Sequence, residues 1–257
     1  MVIQTATKPQ ITWEPLPADY VLPDDPVENE QQPLLAAALT DALVSANLIP
    51  PNALMVSNFG LVATVNKQIV VKAPDWLYAP HVYPTDQGVI RRSYTPYREG
   101  GAVSIVMEFL SDTDGGEFSV RSTPPYGKLY FYEQILQVPV YVTYDPYAQN
   151  LEVRLLQGDR YVIQTKNEHG RVWIAELNLF LGVWAGTRLL TTTIWLRWWD
   201  KDGNLLLWSA EKAEQENQRA ESEYQRAEGE YQRAERESQR VETLAAKLRE
   251  LGIDPDV

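Results

Sequence analysis

The chain has 257 residues, 44% of them hydrophobic and 11% aromatic, so it can form one large domain or two small ones with a sizeable core. It has no cysteine, which excludes a disulfide framework, a disulfide partner, a thiolate metal site and a thiol nucleophile. The net charge is −12, but residues 33–208 carry 14 basic and 16 acidic side chains, so a local basic groove for nucleic acid is allowed and not required.

Residues 1–32 are rich in Pro, Asp, Glu and Gln and carry one lysine against six acidic side chains. This composition predicts an acidic, proline-containing N-terminal arm without an apolar signal segment. No apolar run anywhere in the chain approaches the roughly 18–20 residues that a membrane-spanning helix needs. We therefore expect a cytoplasmic protein with no membrane partner.

Residues 33–208 alternate between helical and strand-like patterns. An Ala- and Leu-rich helix is predicted from Pro33 to the Pro50-Pro51 stop, and a second helix in YGKLYFYEQIL, after Pro124-Pro125. Strand-like runs lie at 54–57, 61–65, 69–71, 103–110, 138–144, 151–156, 161–165, 173–180, 194–199 and 205–208. The order helix, three strands, helix, strand and further hairpins predicts an α/β domain with a mixed sheet flanked by helices.

Residues 209–257 contain near-copies of a seven-residue unit, KAEQENQ, RAESEYQ, RAEGEYQ and RAERESQ, followed by RVETLAA. The repeat predicts a long charged helix with a stripe at 4–3 spacing, here called the seam. The seam consists of Ala213, Asn217, Ala220, Tyr224, Ala227, Tyr231, Ala234, Ser238, Val241, Ala245 and Leu248. Two interpretations remain open, namely a coiled coil that forms a homodimer or binds a partner, and a solvated single helix supported by Glu/Arg pairs.

Three residues between 72 and 145 are the strongest candidates for chemistry. Asp75 follows a strand in KAPDW, Glu108 lies inside the apolar run VMEFLS, and Lys128 lies on the next predicted helix. A carboxylate in an apolar strand is costly to bury unless it is paired, protonated or bound to a cation. Two carboxylates that hold Mg²⁺, together with a lysine that stabilises developing charge, suit metal-assisted phosphodiester hydrolysis.

This segment resembles the PD-(D/E)XK nuclease superfamily and, more closely, the Uma-two family of restriction-endonuclease-like proteins. The resemblance covers roughly residues 20–190 and rests on Pro74-Asp75, Glu108 with Ser111, Lys128 with Tyr132, and the run VYVTYDP at 140–146. It implies a restriction-endonuclease-like fold, DNA as substrate, and Mg²⁺ or Mn²⁺ as cofactor. It also implies that Asp75 and Glu108 bind the metal, that Lys128 is catalytic, and that Ser111 and Tyr132 support them.

The chain departs from the superfamily pattern in one place. A strict E-x-K motif requires lysine at position 110, where this sequence has leucine, so Lys128 is the substitute that the resemblance offers. The superfamily often has an acid on its first helix, which makes Glu28 and Glu30 supporting candidates. The candidates for phosphate contact are Lys72, Arg91, Arg92 and Arg121.

Two functions remain open on the sequence. The first is a metal-dependent DNA endonuclease that uses Asp75, Glu108 and Lys128. The second is a nuclease-fold module of weak or no activity that binds or assembles through its helical tail, which the missing E-x-K lysine and the acidic balance favour. A stabilising shift of the melting temperature with Mg²⁺ or Mn²⁺ that is lost in Asp75→Asn distinguishes the two. The most informative structural observation is whether Asp75, Glu108 and Lys128 converge.

Overall fold

A computed structural model places residues 9–15, 17, 20, 30–111 and 116–252. The chain divides into two compact units, Met1–Trp208 and Ser209–Val257. The helices are α1 Gln31–Ser45, a 3₁₀ turn Gly116–Phe118, α2 Lys128–Tyr130, continued by the π-helical turn Phe131–Ile135, and α3 Ser209–Glu250. The strands are β1 Ile11–Thr12, β2 Leu54–Val56, β3 Gly60–Val65, β4 Gln68–Lys72, β5 Trp76–Ala79, β6 Ser93–Tyr94, β7 Ile105–Phe109, β8 Val140–Asp145, β9 Asn150–Gln157, β10 Arg160–Ile163, β11 Val172–Ile174, β12 Leu179–Arg188 and β13 Thr191–Trp199.

The centre of the first unit is a six-stranded mixed sheet in the order β10-β9-β8-β7-β5-β2. Strands β7 and β8 run parallel, and the other neighbours are antiparallel. Every residue of β5 and β7 is buried, because both faces of the sheet are covered. The predicted mixed α/β class is therefore confirmed.

One face of the central sheet packs against α1 and the sheet β11-β12-β13. Helix α1 is rich in Ala and Leu, and Pro33 lies in its first turn, where a missing N–H costs no hydrogen bond. Its buried side, including Leu35 and Leu39, meets Trp76 of β5 and Trp198 of β13. This face is apolar and rich in tryptophan.

The opposite face carries the small sheet of β1, β3, β4 and β6 and the segment 128–135, here called the site helix. Its core includes Val106, Phe131, Tyr132 and Tyr141. Because successive strand residues point to opposite faces, Glu108 lies on the same face as Val106, towards the site helix. The π-helical turn that contains Tyr132 is a feature often found at functional sites.

Several segments differ from the sequence-based expectation. The run at 205–208, predicted as a strand, forms only an isolated bridge at Leu205, and the short strands β1 and β6 were not predicted. Strand β5 was not predicted, because WLYA follows Pro74-Asp75 directly and four apolar residues are too few for periodicity to show. The predicted strand at 173–180 is two strands, since a turn at 175–178 with Asn178 at positive φ reverses the chain. No helix among the described residues has both the length and the apolar character of a membrane span.

The second unit contains α3, a continuous helix of 42 residues without a buried side chain among its members. The predicted long C-terminal helix is therefore confirmed. Exposed pairs four residues apart support it, among them Arg226 Nε with Glu230 Oε1 at 3.4 Å and Gln225 Nε2 with Glu221 Oε1 at 2.9 Å. Gly252, with a φ of +75°, follows its last turn.

A buried arginine stabilises the tryptophan-rich face. The guanidinium of Arg197 on β13 lies 3.4 Å from the ring centroid of Trp208 and 4.9 Å from that of Trp184. Its Nη2 donates a hydrogen bond of 2.8 Å to the carbonyl of Leu206. Aromatic faces and a carbonyl thus replace the water that a fully buried cation loses.

We expect Arg197→Ala to lower the free energy of unfolding by about 3 kcal/mol or more, because it removes desolvated cation–π contacts and leaves a cavity. Arg197→Lys should be destabilising too, since an ammonium cannot stack on both rings. Arg171→Ala is the control, because Arg171 stacks on Trp199 at 4.1 Å but is half-exposed, and should cost about 1 kcal/mol. Urea unfolding measures the free energy of unfolding of each variant. The prediction is wrong if Arg197→Ala and Arg171→Ala lower this free energy by the same small amount.

Candidate active site at the end of strands β5 and β7

The register of β5 and β7 brings two carboxylates together. Trp76 pairs with Met107 in this antiparallel ladder, so the next residues outward, Asp75 and Glu108, face each other across the strands. Asp75 Oδ2 accepts a short hydrogen bond from the backbone N–H of Phe109. The carboxylate of Asp75 is thereby fixed at the end of β7.

Two side chains of the site helix hold the Glu108 carboxylate. Tyr132 donates its hydroxyl proton to Oε1 at 2.8 Å, and Lys128 Nζ lies 3.2 Å from Oε2. Lys128 and Tyr132 are four residues apart, so they project from the same side of one helical turn. The structure therefore brings together Asp75, Glu108, Lys128 and Tyr132.

The electrostatics of this cluster follow from burial. Glu108 is fully buried, and desolvation raises its pKa to about 8, although Lys128 acts to lower that pKa and Asp75 raises it further. Burial also acts to lower the pKa of Lys128, but the carboxylates of Glu108, Asp75 and Glu117 outweigh it, so that the pKa lies above its usual range. The lysine is thus held as a cation beside an acid that readily accepts a proton.

Two further residues belong to the site and were missed in the sequence. Glu117, in the 3₁₀ turn, places Oε1 3.8 Å from Lys128 Nζ and is almost fully buried. Gln32 on α1 donates from Nε2 to the carbonyl of Phe109 at 2.6 Å. Neither Gln32 in QQPL nor the acid in DGGEF gave a signal in the sequence, because both side chains reach the site only through tertiary packing.

The structure describes one of the two acids expected near the first helix. Glu30 is exposed and lies one residue before α1, and Glu28 lies outside the described residues. Gln32 is the residue of α1 that touches the strand beside the carboxylates. Ser111 is half-buried two residues beyond the end of β7.

A cleft of about 680 Å³ opens beside Lys128. Strand β4 with Lys72 forms one wall, and the segment 124–126 forms another. Tyr20 and Tyr126 also line it and offer aromatic surface. The cluster of charged side chains is therefore next to a space large enough for part of a polar ligand.

The arginine candidates have different surroundings. Arg91 donates from Nη1 to Glu99 Oε1 at 2.5 Å and from Nη2 to the carbonyl of Tyr83 at 2.7 Å, so it braces the loop between β6 and β7 and the segment before β6. Arg92 Nη2 donates a hydrogen bond of 2.5 Å to the carbonyl of Tyr20, and Arg121 Nη2 donates one of 2.8 Å to the carbonyl of Pro124. Tyr20 and Pro124 both line the cleft.

The donor set fits a hard divalent cation that keeps much of its own water. Asp75 and Glu108 offer carboxylate oxygens on adjacent strand ends, and Mg²⁺ typically uses one or two carboxylates plus water and substrate phosphate. Among the described residues no group of three or more Asp, Glu, His or Cys side chains forms a complete protein cage. Lys128 pairs with Glu108, so an ion at this carboxylate competes with the lysine.

No protein-family model matches the chain, and no curated protein matches it in sequence. The arrangement of charged side chains described above is therefore the basis for a functional assignment.

The raised pKa of Glu108 predicts a pH-dependent stability. Between its ordinary value of 4.5 and about 8 the folded state holds a proton that the unfolded state releases, so the stabilisation is complete below about pH 4.5 and is lost as the pH rises through 8. We expect the free energy of unfolding to fall by about 2–4 kcal/mol over this range in the presence of a chelator. Glu108→Gln should flatten the profile, whereas Glu99→Gln, outside the site, should keep it. Urea titrations measure the free energy of unfolding at each pH. The raised pKa is wrongly assigned to Glu108 if this free energy falls as steeply with pH in Glu108→Gln as in the wild type.

Proposed function

We propose that this protein is a metal-dependent endonuclease that hydrolyses DNA phosphodiester bonds, related in type to the PD-(D/E)XK nucleases and to the Uma-two proteins. The observation that carries the proposal is the convergence of Asp75, Glu108 and Lys128 beside the cleft. An acid inside an apolar central strand has a steep energetic cost, which is more readily explained by chemistry than by packing.

Each side chain has a definite task in this proposal. Asp75 and Glu108 hold Mg²⁺ or Mn²⁺ through oxygen, and such an ion polarises a phosphate and lowers the pKa of bound water. Lys128 places a fixed positive charge where the phosphate becomes more negative during hydrolysis. Tyr132 holds the Glu108 carboxylate in orientation through its hydroxyl.

The cleft supplies the contact with the DNA backbone. Lys72 lines it, and Arg92 and Arg121 are anchored to residues of its wall. Phosphate contacts from these cations make binding dependent on salt and independent of sequence.

A second candidate is a nuclease-fold module that binds or assembles through its tail and has little activity. The observation in its favour is that the Glu108 carboxylate is inaccessible. It is fully buried, forms an ion pair with Lys128 and accepts a hydrogen bond from Tyr132. A cation reaches this carboxylate only after the lysine moves and the proton is released. The two candidates therefore differ in whether metal binding and cleavage are detectable.

Plasmid cleavage in Mg²⁺ and in Mn²⁺ tests the first candidate. We expect the wild type to nick supercoiled DNA, and Asp75→Asn, Glu108→Ala, Glu108→Gln and Lys128→Met each to lower the rate about 100-fold or more, since each removes a charged group from the reacting centre. Glu99→Gln, with its salt bridge outside the site, should cleave like the wild type.

The melting temperatures of the variants are compared with that of the wild type as a control. A variant that melts like the wild type but cleaves more slowly has lost chemistry and not its fold. Equal cleavage by the wild type and Glu108→Gln sinks the endonuclease proposal, because a contaminating nuclease is then responsible. Absence of cleavage in the wild type, together with absence of metal binding, leaves the second candidate.

Metal binding has its own readout in thermal stability. We expect saturating Mn²⁺ or Mg²⁺ to raise the melting temperature by about 5 °C or more, and more at about pH 8.5 than at about pH 6.5, because Glu108 must first lose its proton. Asp75→Asn should abolish the shift.

Asp159→Asn is the matched control, because Asp159 lies in an exposed hairpin turn between β9 and β10. A shift that survives in Asp75→Asn, or that is independent of pH, is incompatible with a cation held at Asp75 and Glu108.

A further inference from the structure

Helix α3 exposes its seam from Ala213 to Val241. None of its residues is buried, and the two largest seam residues, Tyr224 and Tyr231, are 67% and 66% exposed. Farther along, Val241 and Leu244 are exposed as well. An exposed apolar and aromatic stripe at heptad spacing is a surface on which a second helix can pack.

The residues that border the seam identify the kind of helix that fits. Glutamate occupies the flanking position on both sides in successive heptads. One row is Glu214, Glu221, Glu228, Glu235 and Glu242, and the other is Glu216, Glu223, Glu230 and Glu237. Between Ala213 and Ala245, the seam and its two borders contain nine glutamates and no lysine or arginine.

The arginines of the tail lie one row farther out. Arg219, Arg226, Arg233 and Arg240 occupy a position beyond the second glutamate row, and Arg226 pairs within the helix with Glu230. The first glutamate row accepts hydrogen bonds from neutral glutamines, as in Gln225 to Glu221 and Gln232 to Glu228. The seam and its two borders are therefore acidic, and the four arginines lie just outside the second glutamate row.

This pattern opposes pairing of two copies of α3. In a parallel pair the flanking rows face each other, and in an antiparallel pair each row faces itself, so glutamate meets glutamate in both. The apolar seam offers little compensation, because alanine occupies Ala213, Ala220, Ala227 and Ala234 and buries little area. Like charges at flanking positions are a known means of excluding a wrong partner.

We propose that α3 is the docking surface for a basic amphipathic helix of a partner protein, with which it forms a heterotypic coiled coil. Lysines or arginines of the partner face the two glutamate rows, and large aliphatic residues fill the space above the seam alanines. The proposal does not depend on the endonuclease assignment, because it rests on α3 alone.

Binding of designed peptides to the full chain tests the proposal. The probe is a synthetic helix of about five heptads with leucine at both seam positions and lysine at both flanking positions. One control peptide has glutamate at the flanking positions, and the other has the composition of the probe in scrambled order. We expect the probe to bind at least about tenfold more tightly than the scrambled peptide, the acidic peptide not to bind, and affinity to fall as salt rises.

Two variants of the chain with equal charge change separate the seam from general acidity. The first carries Glu221→Lys and Glu228→Lys in the border of the seam. The second carries four substitutions on the outer side of the helix, Gln215→Lys, Ser222→Lys, Gln239→Lys and Thr243→Lys. We expect the first to weaken probe binding about tenfold and the second to weaken it much less.

Three results overturn the proposal. Equal binding of the probe and the scrambled peptide means that acidity alone attracts the probe. Absence of probe binding means that α3 is a solvated single helix. Self-association of the wild type at neutral pH that disappears on deletion of residues 209–257 means that a second copy of this chain occupies the seam, and sedimentation velocity detects it.

Discussion

The burial of one carboxylate in the middle of the central sheet determines much of the arrangement around it. Glu108 has no access to water, so its proton or its charge must be accommodated by neighbouring groups. Lys128 and Tyr132 meet this requirement from one turn of the site helix, and Asp75 lies opposite on the next strand. The site helix thus lies where two of its side chains reach the Glu108 carboxylate, and one of them, Lys128, also lines the cleft. Removing one partner leaves an uncompensated buried charge, which is more costly than never having had the pair.

Each face of the central sheet contains a buried ionisable side chain, and the two are stabilised in different ways. On the face that carries α1, the buried cation of Arg197 lies against tryptophan rings and donates a hydrogen bond to a carbonyl. On the opposite face, Glu108 is accommodated by a counter-charge and a hydroxyl. An aromatic cage around a cation is suited to stability, because its members do not titrate near neutral pH. Lys128 lines the cleft, so a ligand can reach its ammonium group, whereas the Glu108 carboxylate becomes accessible only when Lys128 moves away.

The site and the tail use charge for different purposes. In the site, Asp75, Glu108 and Glu117 surround Lys128, and burial strengthens each interaction because little water screens it. On α3 the glutamates are exposed, so each one contributes little, and only their regular repetition along the seam gives them selectivity for a partner. The catalytic proposal and the docking proposal therefore stand on separate evidence. Failure of one has no consequence for the other.

The sequence by itself determined the features that depend on local pattern. The Ala- and Leu-rich run of α1, the heptads of α3 and an acid inside the apolar run of β7 are visible without a fold, because helix period, repeat length and the cost of a buried charge are local properties. Tertiary structure alone decided which side chains meet. It revealed strand β5, whose pairing with β7 sets Asp75 opposite Glu108, and it brought Gln32 and Glu117 to the site from distant segments. It also paired Arg91 with Glu99 in a salt bridge. Strand register and helix placement arise from packing between residues far apart in the chain, and no periodicity in the sequence encodes them.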